Sequence, residues 1–168
     1  LRQYLVEQRG HTPSGALVKA IMVNGAVDMG MGVPHTGQGW GRIDMTNALF
    51  PPGTNRVQFD DSLDNAVATG DIRSYQVMVS GPADPLTVTL AWRDRQGATL
   101  QNRLHLRVIR DATGDTFTSD DIADIRNNVQ KVIVGAPVAG TYTIEVEGVS
   151  VSHAIPEFAP ALRQDYAL

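Results

Sequence analysis

Leu86-Thr87-Val88-Thr89-Leu90-Ala91-Trp92-Arg93-Asp94 decides the fold class. Leu86, Val88, Leu90 and Trp92 recur at period two, with Thr87 and Thr89 between them. That is a half-buried strand whose apolar residues share one face. Asp94 and the Gly that follows at 97 close it with turn residues. The same period recurs on both sides. Ile72 to Ser80 puts Tyr75, Val77 and Val79 on one face and Ser74, Gln76 and Met78 on the other. Leu104, Leu106 and Val108 alternate with His105 and Arg107, and Val129–Val134, Thr141–Glu147 and Leu162–Leu168 continue the series. Val57-Gln58-Phe59 and Asp115–Thr118 are shorter candidates. Turn signals lie between these runs. The fold class is mainly β: an antiparallel β-sandwich or jelly roll of seven or eight strands.

Upstream of Pro51-Pro52-Gly53 the period is helical. Leu1, Leu5 and Val6 share a face, and Gly10 stops that helix. Thr12-Pro13 is expected to open a second helix, with Thr12 as N-cap and Pro13 at the first helical position. Leu17, Val18, Ile21 and Met22 make that helix apolar around much of its circumference, so it is expected to be buried, and by something other than the sandwich alone. A Gly-rich loop from Gly30 to Gly41 and a short helix from about Asp44 to Leu49 follow. Two or three helices therefore precede the strands. The domain expectation is a helical segment over 1–50 and a sandwich over 51–168.

The chain has 168 residues and a formal net charge of −4. Residues 1–50 carry +1, from Arg2, Arg9, Lys19 and Arg42 against Glu7, Asp28 and Asp44, so neither part has a nucleic-acid footprint. Cys is absent, which excludes disulfides and thiolate metal sites. No run of 18 apolar residues occurs, so no membrane helix is expected. The chain opens on Leu1-Arg2-Gln3-Tyr4 and ends at Leu168 inside an apolar pattern, and we expect a fragment of a larger protein.

Candidate chemistry is sparse. His11, His35, His105 and His153 form no metal-spaced array, and His105 should face solvent or a polar rim. No Ser lies in a G-x-S-x-G elbow. Gly37-Gln38-Gly39-Trp40-Gly41 lacks the strand and the Lys of a phosphate loop, and reads as a tight loop holding a packed Trp. Trp40 and Trp92 are both expected in the core. Asp111, Asp115, Asp120, Asp121 and Asp124 offer the oxygens that Ca²⁺ takes, but without EF-hand spacing; solvated turns are the commoner use of such a stretch. No catalytic residue, metal ligand or cofactor-binding residue is assigned, and no cofactor is implied.

Two stretches resemble subtilisin-like serine proteases. Thr12-Pro13 through Ala26-Val27-Asp28, then Gln38-Gly39-Trp40-Gly41-Arg42-Ile43-Asp44 and Ala48-Leu49, are similar to the segment that follows the catalytic serine and closes the catalytic domain. Leu86–Asp94, Asn127-Asn128-Val129-Gln130, Ala139–Val146 and Gln164–Leu168 resemble strands of the C-terminal β-barrel domain that some bacterial subtilases carry, and more distantly the P domain of proprotein convertases. The resemblance implies a secreted, extracellular serine endopeptidase as the parent, acting through an acyl-enzyme on protein or peptide substrates. It places the triad and the oxyanion-hole Asn before Leu1, so the isolated chain is expected to be inactive. The partner it implies is the remainder of the catalytic domain. In similar subtilases a "W.D" Asp and an Asp of an "NDLDL" strand share a calcium ion. Here the second stretch reads Asn102-Arg103-Leu104-His105-Leu106, and an Arg103–Asp94 ion pair is expected instead. A free-standing β-sandwich binding module for protein or carbohydrate is the alternative.

Overall fold

The computed structural model describes residues 1–49, 57–119 and 124–168. Helices α1 (Arg2–Arg9), α2 (Gly15–Asn24) and α3 (Met45–Ala48) precede seven strands: β1 (Ile72–Val79), β2 (Leu86–Trp92), β3 (Asn102–Arg110), β4 (Asp115–Thr118), β5 (Val129–Val134), β6 (Gly140–Val151) and β7 (Tyr166–Ala167). All pairings are antiparallel, in a four-stranded sheet of order β1-β6-β3-β4 and a three-stranded sheet of order β5-β2-β7. No helix of the described residues is long and apolar enough to cross a membrane.

The sheets enclose one apolar core. Val88, Leu90, Trp92, Val132, Val134 and Tyr166 come from the smaller sheet, and Leu104, Leu106, Val108, Tyr142, Ile144 and Val146 from the larger. The period-two residues of β1, β2, β3 and β6 thus face inward together, as side-chain alternation requires. Gln130 sits among them for a reason. Its side chain accepts from Leu106 N–H (2.8 Å) and donates to Leu104 C=O (3.1 Å), pairing backbone groups of β3 beyond the reach of four-residue β4. Trp92 is 1% exposed and its indole N–H donates to Asn102 C=O at 3.1 Å.

β2 departs from plain alternation. Thr89 and Ala91, on its outward face, are buried as well, because α2 lies across the smaller sheet. Small side chains there let a helix approach, and Thr89 Oγ1 donates to Asn24 Oδ1 at 2.9 Å. Lys131, also outward on β5, donates to Val23 C=O (2.9 Å) and Asn24 C=O (3.1 Å) at the last turn of α2. A cation on terminal carbonyls complements the helix dipole. Lys19 Nζ donates to Asn128 Oδ1 from the other side of the seam.

Gly10 ends α1 at φ 63°, and Asp44 caps α3 through Thr46 and Asn47 N–H groups. The expected cap of α2 is corrected by two residues. Ser14, not Thr12, is the N-cap, its Oγ accepting from Leu17 N–H at 3.0 Å. Pro13 precedes the helix and is buried. Val57–Phe59 forms no strand; Val57 and Phe59 pack on the cluster of Leu5, Leu17 and Ala48. Leu162–Leu168 yields only the two-residue β7, because the backbone of Gln164 pairs with Val67 instead and that of Leu168 with Asp60. The expected boundary at Pro51-Pro52-Gly53 lies outside the described residues.

Candidate functional site

One face of α2 is covered and another is not. Ala16, Leu17, Ala20 and Ile21 are buried against the sandwich, α1 and α3. Val18, Met22 and Val23 instead line an open groove of about 330 Å³ with Trp40, Gly41 and Ile43. The sandwich, α1 and α3 thus cover one stripe of this helix and leave the other open to solvent. Trp40 is corrected in the same way: it is half-buried and walls the groove. Gly39 (φ 61°) and Gly41 (φ 102°) make the turn that carries it, and a Cβ at Gly41 would stand 2.4 Å from Val27 C=O. The loop before it is tied at Asp28, whose carboxylate accepts from Gly30, Met31 and Gly32 N–H groups and from Gln38 Nε2. The Gln38 bond, then the backbone donors, hold its pKa below the usual carboxylate range.

A second, polar cleft of about 280 Å³ opens where α2 begins, lined by Ser14, Asp61, Arg93, Glu157, Asp165 and Tyr166 among others. Ser14 and Asp61 of its lining, with His11 beside them, are the three residue types of a hydrolase triad in the wrong order. Asp61 is central: it accepts from Ser14 Oγ (2.5 Å) and Ser14 N–H (2.8 Å), and its other neighbour is His11 Nε2 (3.0 Å). In a working triad the imidazole lies between hydroxyl and carboxylate, where it can take the hydroxyl proton. Here Ser14 Oγ gives its proton to Asp61 and its lone pair to Leu17 N–H, so it is a cap and not a nucleophile. Across the cleft Arg93 reaches Glu157 (2.8 Å) and Asp165 (3.1 Å). Arg93 holds Glu157 below its ordinary pKa, whereas burial pushes Asp165 up against the opposing pull of Arg93. Tyr75 Oη bonds Asp60 (2.5 Å) and Tyr166 Oη (2.6 Å); burial, chiefly, raises both phenols, Tyr166 to about 12.

Asp94 and Arg103 do not pair. Asp94 accepts from Gln101 N–H (2.7 Å) and Asn102 N–H (3.0 Å), closing the β2–β3 turn. Alternation explains the outcome: Asn102 points inward and is fully buried, so Arg103 falls on the outer face of the sheet, away from Asp94. Asn102 Nδ2 donates to His153 C=O (2.8 Å) and Gln164 Oε1 (2.8 Å), while its Oδ1 accepts from Ser152 (2.9 Å) and His153 (3.0 Å) N–H groups. Sequence reading missed Asn102, Gln164, Gln130 and Asp61. The first three carry one available signal, a polar residue at an inward position of a strand or beside one.

Asp120 and Asp121 of the acidic stretch lie outside the described residues. Asp111 accepts from Thr143 Oγ1, Asp115 from Thr113 Oγ1 and Asp124 from Arg126 and Asn127 N–H groups. Among the described residues no group of three or more His, Asp or Glu could hold a metal ion.

His105 is on the outer face, half-buried opposite Glu147, and its Nε2 is shielded with no hydrogen-bond partner. Burial, then Arg107 and Arg103, lower its pKa, partly opposed by Glu147; Arg107 itself is paired with Glu145 (3.0 Å) and Glu147 (2.8 Å). In the unfolded chain the imidazole takes its proton near pH 6.5, in the folded chain only below that. Its share of stability is therefore complete above about pH 6.5 and lost as pH falls through the folded value. Between pH 7 and 5 the wild-type melting temperature should fall more steeply than that of His105→Gln. Parallel curves would show that this imidazole does not govern the loss.

No family model matches the chain. It is similar to the "Serine protease/ABC transporter B family protein tagA" of Dictyostelium discoideum, with 26% identity over 164 residues that take in 84% of this chain and 9% of that protein. The chain thus spans about a tenth of that relative's length. The similarity ties this β-rich chain to a protein named as a serine protease.

Proposed function

We propose that the chain is the C-terminal portion of a secreted subtilisin-like serine endopeptidase, in which the sandwich stabilises the protease body. The observation that carries the proposal is the divided helix α2: one stripe is sealed onto the sandwich, and the other, with Trp40 and Ile43, is an apolar groove open to solvent. A helix with two apolar stripes suits a position between two bodies. The first body is the sandwich, and the second is the remainder of the catalytic domain, seated in the groove. The similarity to a protein named as a serine protease supports the same view. Peptide hydrolysis would fall to a Ser, His and Asp outside this chain, since Ser14 is occupied as a cap. Protein or peptide substrates would bind the parent. Three of the large aromatics, Trp92, Tyr142 and Tyr166, are buried in the core and offer the module alternative no exposed platform.

The test places Val18→Asp and Met22→Asp, singly, in the full-length protein and in the isolated chain. The isolated chain should keep its melting temperature to within a few degrees, because both side chains already border water. The full-length protein should lose thermal stability and, with it, peptidase activity on casein. Unchanged stability and activity of the full-length variants, or a full-length protein that cleaves no peptide, would overturn the proposal.

A further inference from the structure

β1 is the end strand of the larger sheet, and its outer edge is open. Ile72–Val79 pairs with β6 on one side, and among the described residues no backbone bond reaches it from the other. The opposite end strand, β4, is only four residues long, whereas β1 runs eight residues with no Pro, no Gly and no charge except Arg73. Long edges with so little charge are the ones that pair with another chain.

The hydrogen-bond phase fixes which groups are free. Gly148 N–H donates to Asp71 C=O at 3.0 Å, and Ile72 lies opposite Glu147. Bonding alternates along an antiparallel ladder, so Arg73, Tyr75, Val77 and Val79 turn their backbone groups toward β6. The N–H and C=O groups of Ile72, Ser74, Gln76 and Met78 turn outward. The side chains of these four share the solvent face of the sheet, where Ile72 is 46% and Met78 71% exposed.

We propose that this edge pairs with a second copy of itself, antiparallel about a two-fold axis at Tyr75. In that register Ile72 faces Met78 of the second copy, and Ser74 faces Gln76. Each outward backbone group then finds a partner, and the two exposed apolar residues cover each other at both ends of the seam. Arg73 meets Val77 rather than another Arg73, so no like charges oppose. The two larger sheets become one continuous sheet. A single strand edge offers less surface than the ~800 Å² per partner of a standard interface, so the dimer is weak, with a dissociation constant on the order of 10 µM.

Sedimentation velocity on the 168-residue chain from about 0.5 µM to about 1 mM should show the mass rising from near 18.1 kDa toward twice that value. Gln76→Pro removes an outward N–H and no bond to β6, and should stay folded but monomeric throughout. Register is tested by charge exchange. Ile72→Lys and Met78→Glu should each weaken the dimer by ~10-fold or more, and the double variant should restore it to within ~3-fold, because Lys at 72 then faces Glu at 78 of the second copy. A wild-type monomer at every concentration would overturn the proposal. So would a dimer indifferent to Gln76→Pro, or single charge variants that the double does not rescue. Should the Pro variant unfold, the charge exchange decides alone.

Discussion

Replacing Asn102 with Leu is expected to destabilise the chain by about 4 kcal/mol. The side chain is fully buried and makes four hydrogen bonds. A Leu, with the same branching, offers none of them. It strands the Ser152 and His153 N–H groups, the His153 C=O and the Gln164 Oε1 without water to replace the lost partner. Each such group typically costs about 1–3 kcal/mol, and neighbours in one network do not add fully. The loss should be global, because Asn102 joins β3 to the end of β6 and to Gln164, whose own Nε2 holds Arg93 C=O (2.7 Å). For a chain of this length it corresponds to a fall in melting temperature of about 10 °C. Asn102→Asp should recover little, since it keeps the acceptor, loses both donors and buries a charge. A melt of Asn102→Leu within two or three degrees of wild type would mean that the network is hydrated.

Trp92→Ala should cost a similar ~3–5 kcal/mol by a different route. The indole fills the space between the sheets beside Leu104, Leu106 and Tyr166, and only one of its atoms needs a polar partner. Truncation removes a large apolar area and leaves a cavity that two hydrogen-bonded sheets cannot collapse to fill. Trp92→Phe should recover most of the packing and forfeit the bond to Asn102 C=O, so it should fall between Ala and wild type. Chemical denaturation of the three proteins reads this order directly, and equal midpoints for Phe and Ala would contradict it.

The strands were legible because their chemistry is local. Tyr75, Val77 and Val79 recur at every second position, and so do Leu104, Leu106 and Val108; a period of two has one structural meaning over that length. The two-sided burial of β2 was not legible, since Thr89 and Ala91 suit a solvent face and a helix-bearing face equally. Trp40 failed for a related reason: flanking glycines announce a bend but not the side to which the ring turns. The cleft was hidden by distance along the chain. Nothing near Asp61 marks it as the partner of Ser14 and His11, nearly fifty residues earlier. Asn102 was read by its neighbour Arg103, whose charge drew the pairing to Asp94 that the inward turn of Asn102 forecloses.

The chain contains two lysines, Lys19 and Lys131, and both stand at the seam between α2 and the smaller sheet. Burial lowers the pKa of each, yet Lys131 is only 8% exposed and its amine is engaged by helix carbonyls. An amine-directed acylating reagent therefore meets no lysine elsewhere on the molecule. Its rate of attack on Lys131 measures how often the helix lifts from the sheet, so the protein carries a chemical clock for the parting of its two layers.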